Sequence, residues 1–264
     1  MPSSRRQIWT TADELAAVNE KPGRAALARS NLGLDEKAVD LGKRRVELAR
    51  QVYGPRDVRV AAALRDLSMS LADSTRVAER PAVLAEALAI LDRAGDRSSA
   101  LRANVLGDLA QYYMEFDLPK ALLYAHASSE LLAGQPPSQD LQEALVQEGT
   151  VLNAMTRFAD GDRVLSRAIE VSQQAFGDPN PHLPHIYIYV AEARYFGGNY
   201  AGAESAYRAA LRIASELSGA DHIDTVQAEA RLGMFLGRTG RNREGSSAIS
   251  ARISISSTRK NSRR

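Results

Sequence analysis

Two histidines that each follow a proline are the residues of this sequence that come nearest to a metal-binding motif. His182 follows Pro181, and His185 follows Pro184 three residues later. Histidine imidazoles bind zinc well, but a protein zinc site takes at least three side-chain ligands. No third ligand with suitable spacing accompanies this pair. We therefore interpret the two histidines as part of a solvated loop between structural units, and we expect no bound metal or other cofactor.

Motifs for other kinds of catalysis are absent from the sequence. The chain has no cysteine, which excludes thiolate catalysis, disulfides and cysteine-ligated zinc. It contains no Gly-x-Ser-x-Gly elbow, no Walker loop and no kinase loop motif. The glycine-rich residues 197–202 follow a helical pattern rather than a strand, and this predicts a turn between helices. A protein that is not an enzyme is the favoured interpretation, and an enzyme with an unrecognised site remains an alternative.

The charge of the chain is distributed unevenly along its length. The net charge is +2, but residues 238–264 carry eight basic residues and one acidic residue, which leaves residues 1–237 at −5. The final segment, residues 251–264, is rich in serine and arginine and has no aromatic residue that could stack on a base. We therefore predict a disordered basic tail there and do not expect nucleic acid to be the partner.

Targeting and membrane signals are also missing. No apolar run follows Arg5 and Arg6, so we expect no secretion signal. The longest strongly apolar stretch, residues 186–191, is far too short to cross a bilayer. We therefore expect no association with a membrane and predict a cytoplasmic protein.

Small or turn-adjacent residues recur through the chain with a nearly constant period. The intervals between successive positions are 42, 41, 40, 42 and 42 residues, and the positions are Ala38, Arg80, Ala121, Gly161, Ala203 and Gly245. Each is expected to lie at the start of the second helix of a helix pair. One pair cannot bury its own apolar face, and stacking several pairs buries it. The sequence therefore predicts an all-α fold, an α-α superhelix or solenoid of antiparallel helix pairs.

The unit at residues 182–217 shows the pattern most clearly. A first helix is predicted from about His185 to Phe196, and glycines at 197 and 198 end it. Tyr200 opens a second helix, in which Ala203 and Ala210 lie on one face. Residues 186–190 resemble a strand when read alone, but the neighbouring units are helical at the same phase, and we predict a helix there as well.

These residues resemble the tetratricopeptide repeat family. That family has a small residue in the first helix and two alanine-like residues seven apart in the second. The positions that match are Gly149, Gly161 and Ala168 in one unit, and Ala191, Ala203 and Ala210 in the next. The period of about 42 residues and the glycine-containing linkers at 53–57, 176–182 and 217–222 are similar to the kinesin-light-chain-like subclass. HEAT repeats share this period and are the alternative fold.

The resemblance defines three regions. Residues 1–21 form an N-terminal extension that is predicted to be partly helical. Residues 22–250 form the repeat array of about six units, of which the last is degenerate. Residues 251–264 form the basic tail.

In the family, ligands bind against the first helices, and the resemblance implies a protein or peptide partner for this chain. The positions that carry over form a mixed polar groove: Arg65, Asn104, Asp108, Gln111, Tyr112, Asn153, Glu192, Tyr195 and Arg238. The implied function is a non-catalytic binding scaffold. Similar arrays form the C-terminal part of bacterial serine/threonine kinases and of transcriptional regulators, so a detached regulatory or sensor half is one alternative. A HEAT-like helical adaptor is another.

Overall fold

A computed structural model gives the structure of residues 32–97 and 99–240. Over these ranges the chain forms ten α-helices and one short 3-10 helix, Val77–Glu79, and it contains no strand. The α-helices are α1 Leu32–Tyr53, α2 Val58–Ala72, α3 Arg80–Arg93, α4 Ala100–Tyr113, α5 Leu118–Leu132, α6 Gln139–Ala154, α7 Phe158–Phe176, α8 Leu183–Phe196, α9 Tyr200–Ser218 and α10 Ile223–Arg238. The predicted extension at 1–21, the tail at 251–264 and the position of Gly245 lie outside the described residues.

The chain divides into two compact units, residues 1–132 and 133–264. The first contains α1 to α5, and the second contains α6 to α10. In unit 1, α2 packs on α3 and α4 packs on α5. In unit 2, α6 packs on α7 and α8 packs on α9. These are the helix pairs that the 42-residue period predicts, and each of the five described repeat positions falls in the second helix of its pair or, for Ala38, in α1.

Three-residue turns reverse the chain inside the pairs of unit 2. After α8, the Asn199 amide donates to the Arg194 carbonyl at 2.8 Å, and the Gly198 amide donates to the Tyr195 carbonyl at 3.1 Å. Gly198 has a φ of 84°, a conformation that glycine adopts without strain. This is the Schellman arrangement that the glycines at 197 and 198 predict. The turn is too short for anything but an antiparallel packing of α8 and α9.

The backbones of α6 and α7 approach each other closely at two glycines. A Cβ atom at Gly161 would lie 3.2 Å from the carbonyl oxygen of Gly149. A Cβ atom at Gly149 would lie 2.5 Å from Cγ of Leu165, a side chain that is fully buried. A Cβ would overlap Leu165 at position 149 and make an unusually tight contact at position 161, so glycine is favoured at both positions while the helices keep this distance. The small residues predicted from the repeat thus set the spacing of this pair.

Each unit has its own apolar core. In unit 1, buried leucines of α2 and α3 are joined by Val105 and Leu109 of α4. In unit 2, Leu165 of α7 packs with buried alanines of α8 and α9 and with Phe235 and Leu236 of α10. Alanines at the predicted small positions, including Ala191, Ala203 and Ala210, are completely buried. Their burial confirms the face that the sequence assigned to the core.

The start of α8 differs slightly from the prediction. The helix begins at Leu183 rather than near His185, because Pro184 lies in the first turn, where no backbone donor is needed. The strand-like residues 186–190 are helical, as predicted. Ile186, Ile188 and Val190 are all buried, although they alternate in sequence, because α8 packs against helices on more than one side.

The Gly149→Val variant is expected to be destabilised by about 2 kcal/mol, because the added carbons overlap Leu165 in an already packed core. In the Leu165→Ala background the same substitution should cost less, since the group it collides with is gone. Urea unfolding monitored by circular dichroism measures both differences. Gly134→Ala is the control, because a Cβ there meets nothing within 4 Å. Equal costs in the two backgrounds would contradict the close contact.

Candidate functional site

All nine residues of the predicted groove lie on first helices of the pairs. Arg65 is on α2, and Asn104, Asp108, Gln111 and Tyr112 are on α4. Asn153 is on α6, Glu192 and Tyr195 are on α8, and Arg238 is the last residue of α10. The first five belong to unit 1 and the other four to unit 2. The two sets have different surroundings, and we describe them separately.

In unit 1 the predicted charged residues bind each other. Arg65 Nε donates to Asp108 Oδ2 at 2.9 Å, and both side chains are mostly buried. Burial raises the pKa of Asp108, while the charges of Arg65 and then Arg80 oppose the rise. An ion pair of this kind ties α2 to α4 and leaves these two groups with less capacity for a ligand.

Arg80, at the repeat position where other units have alanine or glycine, extends this polar cluster. Its side chain is 5% exposed, and burial lowers the pKa of its guanidinium. Nε donates to Ser68 Oγ at 3.3 Å, and Nη2 donates to Gln111 Oε1 at 3.2 Å. Arg80 thereby holds Gln111, a predicted ligand contact, against α3.

Tyr112 lies at an aromatic edge of unit 1. Its ring contacts Tyr113 at 5.1 Å and Phe116 at 5.4 Å between centroids. Phe116 is 67% exposed, and Lys120 lies 3.9 Å above the ring of Tyr113. Asn104 lies half-buried earlier on α4.

In unit 2 the predicted residues line two adjoining clefts. The larger has a volume of about 470 Å³ and is formed by α6, α8 and the turn that starts α7. Its lining consists of Thr150, Asn153, Ala154, Thr156, Phe158, Tyr189, Glu192 and Phe196. The rings of Phe158 and Phe196 stack at 5.6 Å, and Phe196 is 57% exposed. This cleft combines an open aromatic wall with a few polar groups, the composition typical of a binding site.

Asn153 is fixed at the base of the larger cleft. Its Nδ2 donates to the Tyr189 carbonyl at 3.3 Å, which connects α6 to α8. Its Oδ1 is buried and accepts no hydrogen bond from the described residues. The same oxygen would lie 2.1 Å from a Cβ at position 161, so the glycine there makes room for the amide.

The smaller cleft, of about 110 Å³, lies between α8, α9 and α10. Glu192, Tyr195, Phe196 and Arg238 line it together with Tyr207, Arg231, Met234 and Phe235. Arg231 Nη1 donates to Glu192 Oε1 at 2.9 Å. Burial raises the pKa of Glu192, and the charge of Arg231 opposes the rise. Burial, with the charge of Glu192, also raises the pKa of Tyr207 to about 12, so that its hydroxyl stays protonated.

The turn before α7 contains a strained residue at the rim of the larger cleft. Thr156 has a φ of 60°, which is unfavourable for a β-branched side chain. It occupies the place that Gly198 takes 42 residues later: its amide donates to the Asn153 carbonyl at 3.0 Å, and the Arg157 amide donates to the Leu152 carbonyl at 2.9 Å. The turn therefore has the same hydrogen bonds in both pairs, but in the turn before α7 the threonine side chain forms part of the cleft lining.

The residues predicted from the sequence include Asn153, Glu192, Tyr195 and Arg238, each of which lines at least one of the two clefts, but they do not include the aromatic wall of Phe158 and Phe196. Phe158 is not among the predicted contacts, and the sequence pattern marks Phe196 only as the end of a first helix. Their shared position beside short turns was a signal that could have linked them. The sequence also contains a signal for Thr156, because this threonine occupies the repeat position at which the next unit has the turn glycine Gly198.

Of the two histidines that follow prolines, His182 lies in the linker between α7 and α8, whereas His185 lies in the first turn of α8 and not in a loop. The ring of His182, at the N-cap, lies 4.7 Å from the ring of Phe176, and His185 is exposed on the helix. In the described part of the chain, no cluster of three or more potential ligands could hold a metal ion. Over the same residues, no helix has the length and apolar character needed to span a membrane.

Comparison with known proteins identifies the fold. No protein-family model matches the sequence, and no curated protein matches it. Among solved structures, BtubC (BKLC) from P. vanneervenii matches with a TM-score of 0.75 at 17% identity, over 86% of this chain and 92% of that one. A putative kinesin light chain with nearly identical TPR-like repeats, from Podosopora anserina, matches with a TM-score of 0.67 at 13% identity, over 77% of this chain and 97% of that one.

A third match is the structure of a Rap protein complexed with Competence and Sporulation Factor. Its TM-score is 0.52 at 13% identity, over 91% of this chain and 76% of that one. Together with the helix pairs and their period, these matches show that the chain has a tetratricopeptide-repeat fold of the kinesin-light-chain-like kind. The fold predicted from the small-residue phases is confirmed, and the HEAT alternative is not supported.

The pKa of Glu192 should lie above its ordinary value of 4.5 and should rise further in the Arg231→Met variant, which removes the opposing charge but keeps the aliphatic stem. Carbon-13 NMR titration of the glutamate carboxyl carbons measures it. Since the folded protein then binds this proton more tightly than the unfolded chain, the contribution of Glu192 favours folding at low pH. That contribution is lost as the pH rises from about 4.5 through the folded pKa.

Arg212→Met is the matched control for this titration, since Arg212 pairs with Glu216 on α9 and lines neither cleft. It should leave the Glu192 midpoint unchanged. A midpoint at or below 4.5, or a fall in the Arg231 variant, would contradict the assigned cause.

Thr156→Gly is expected to stabilise the protein by about 1 kcal/mol, because glycine relieves the strain of a positive φ and this gain exceeds its entropic cost. Thermal unfolding measures the effect. The neighbouring Met155→Gly should instead destabilise, since Met155 has an ordinary φ of −81°. A Thr156→Gly protein that is less stable than wild type would rule out strain at this turn.

Proposed function

We propose that this protein is a non-catalytic scaffold that binds an extended peptide segment of a partner protein across the first helices of unit 2. The observation that carries the proposal is the pair of adjoining clefts, which share Glu192 and Phe196. Exposed aromatic rings beside fixed polar groups are typical of surfaces that anchor a peptide. Within unit 2, α8 contacts both α6 and α10, so the clefts follow one another across three neighbouring first helices.

The spacing of these helices suggests the length of the ligand. Packed helix axes lie roughly 8–10 Å apart, so the path from α6 to α10 is about 20 Å. An extended chain advances about 3.3 Å per residue, and about six residues would cover this path. A segment of this length could place one side chain in the larger cleft and another near Arg238.

The residues of unit 1 contribute less to this proposal. Arg65 and Asp108 form an ion pair, and Gln111 accepts a hydrogen bond from Arg80. We therefore assign the ligand contacts to Asn153, Glu192, Tyr195 and Arg238, and Asn104, Gln111 and Tyr112 remain predicted contacts of a second surface.

Among fold relatives, the Rap structure contains Competence and Sporulation Factor, which supports a binding role for the fold. A cytoplasmic location and a place in bacterial signalling, as the detached regulatory half of a kinase or transcription regulator, remain proposals. A kinase or DNA-binding domain encoded next to this chain would support the regulatory role, and unrelated neighbours would count against it.

Phe196→Ser should weaken peptide binding by at least tenfold, because the exposed ring forms part of both clefts and aromatic anchors carry a large share of binding energy. Random eight-residue peptides displayed on phage supply the ligands, and fluorescence anisotropy of the enriched peptides measures affinity.

Phe116→Ser is the matched control: the same substitution at another exposed phenylalanine, but in unit 1. It should leave the affinity within about twofold. The proposed function fails when selection enriches no peptide, or when the enriched peptides bind the Phe196 variant as tightly as wild type.

A further inference from the structure

The lining of the larger cleft of unit 2 carries a single, negative charge. Of the eight described residues that form it, Glu192 alone carries a charge, and the others are aromatic, small or neutral polar. Arg231, the partner of Glu192, lines the smaller cleft and not the larger one. A ligand group that enters the larger cleft therefore meets a carboxylate and no cation from its lining.

The carboxylate of Glu192 is incompletely compensated. Its side chain is 28% exposed, and the contact with Arg231 uses Oε1. Burial raises its pKa in spite of the Arg231 charge, which means that the ionised form lacks part of the solvation it has in water. A second cation beside Glu192 would restore that stabilisation.

The walls of the cleft suit the aliphatic stem of a basic side chain. Lysine and arginine have long aliphatic stems that pack on apolar surface while the charged head remains near polar groups. Phe158, Tyr189 and Phe196 provide ring surface, and Ala154 leaves space beside them. Ring faces also attract cations that come within about 6 Å of the ring centre.

The charge of the described part of unit 2 favours the same kind of ligand. Residues 133–240 include 13 acidic and eight basic residues, a net charge of −5. A negative surface raises the association rate of positively charged partners and repels acidic ones.

We propose that the larger cleft binds a lysine or arginine side chain of the partner's peptide, with the aliphatic stem on Phe158 and Phe196 and the charged head at Glu192. This inference rests on the proposed function and specifies the ligand for it. The partner is thus a protein with a basic segment. Thr150 and Thr156 supply hydroxyl groups at the rim of the same cleft.

The test starts from the peptides enriched by the full-length protein in the phage selection described above. The proposal predicts a lysine or arginine at one fixed position. Replacing that residue by norleucine in a synthetic peptide should weaken binding about tenfold, and replacing it by glutamate should weaken it more. The affinity of the original peptide should fall with added salt, and that of the norleucine peptide should change little.

Protein variants locate the charge in the cleft. Glu192→Gln should weaken the original peptide about tenfold and leave the norleucine peptide within twofold. Glu216→Gln changes the same charge in the same unit outside both clefts, and it should leave both affinities unchanged.

Other outcomes separate this inference from the proposed function. Enriched peptides that bind through Phe196 but are neutral or acidic at every position would overturn the basic ligand and leave the binding role intact. Binding that appears only after Arg259→Gln and Lys260→Gln would show that the chain's own basic segment fills the cleft, and it would overturn the assignment to a separate partner. Failure of both the wild-type protein and this variant to enrich any peptide would overturn both.

Discussion

The close approach of paired helices at small residues is the constraint on which the rest of this structure depends. At α6 and α7 the backbones come so near that a methyl group on Gly149 would overlap Leu165. This approach joins the two helices of one pair, and the stacking of neighbouring pairs then buries the apolar stripe that one pair cannot cover alone. The clefts of unit 2 form where neighbouring first helices meet residues of the adjoining turn or second helix, such as Phe158 and Tyr207. Asn153 fits beside α7 only because residue 161 is glycine.

The same architecture gives polar residues different roles in the two units. In unit 1, Arg65 and Asp108 satisfy each other, and Arg80 is buried at a position that is small elsewhere. Their cluster joins helices and has little capacity for a partner. In unit 2, Glu192 is paired on one side and borders an aromatic cleft on the other. A charge that the fold buries but only partly compensates is a reasonable point for recognition, since a ligand can supply the missing partner.

Much of the fold could be predicted because its signals are local and repeated. The small residues recur at intervals of about 42 residues, and Ala191, Ala203 and Ala210 are buried as their place in the repeat requires. The prediction of site residues was less complete, because a cleft depends on which side chains meet across helices. The position of Asp108 in the repeat is enough to include it in the predicted groove, but it does not reveal that Arg65 binds it. The repeat position does not indicate Phe196 as a site residue either, since its contact with Phe158 brings together residues beside two different turns.

The central claim is that unit 2 presents a peptide-binding surface on its first helices. Hydrogen–deuterium exchange of the full-length protein, with and without an enriched peptide, tests this most directly. We predict that bound peptide slows exchange in the C-terminal turns of α6, α8 and α10 and in the turn before α7, where the cleft residues lie. Protection confined to α9, or to the helices of unit 1, would contradict the claim.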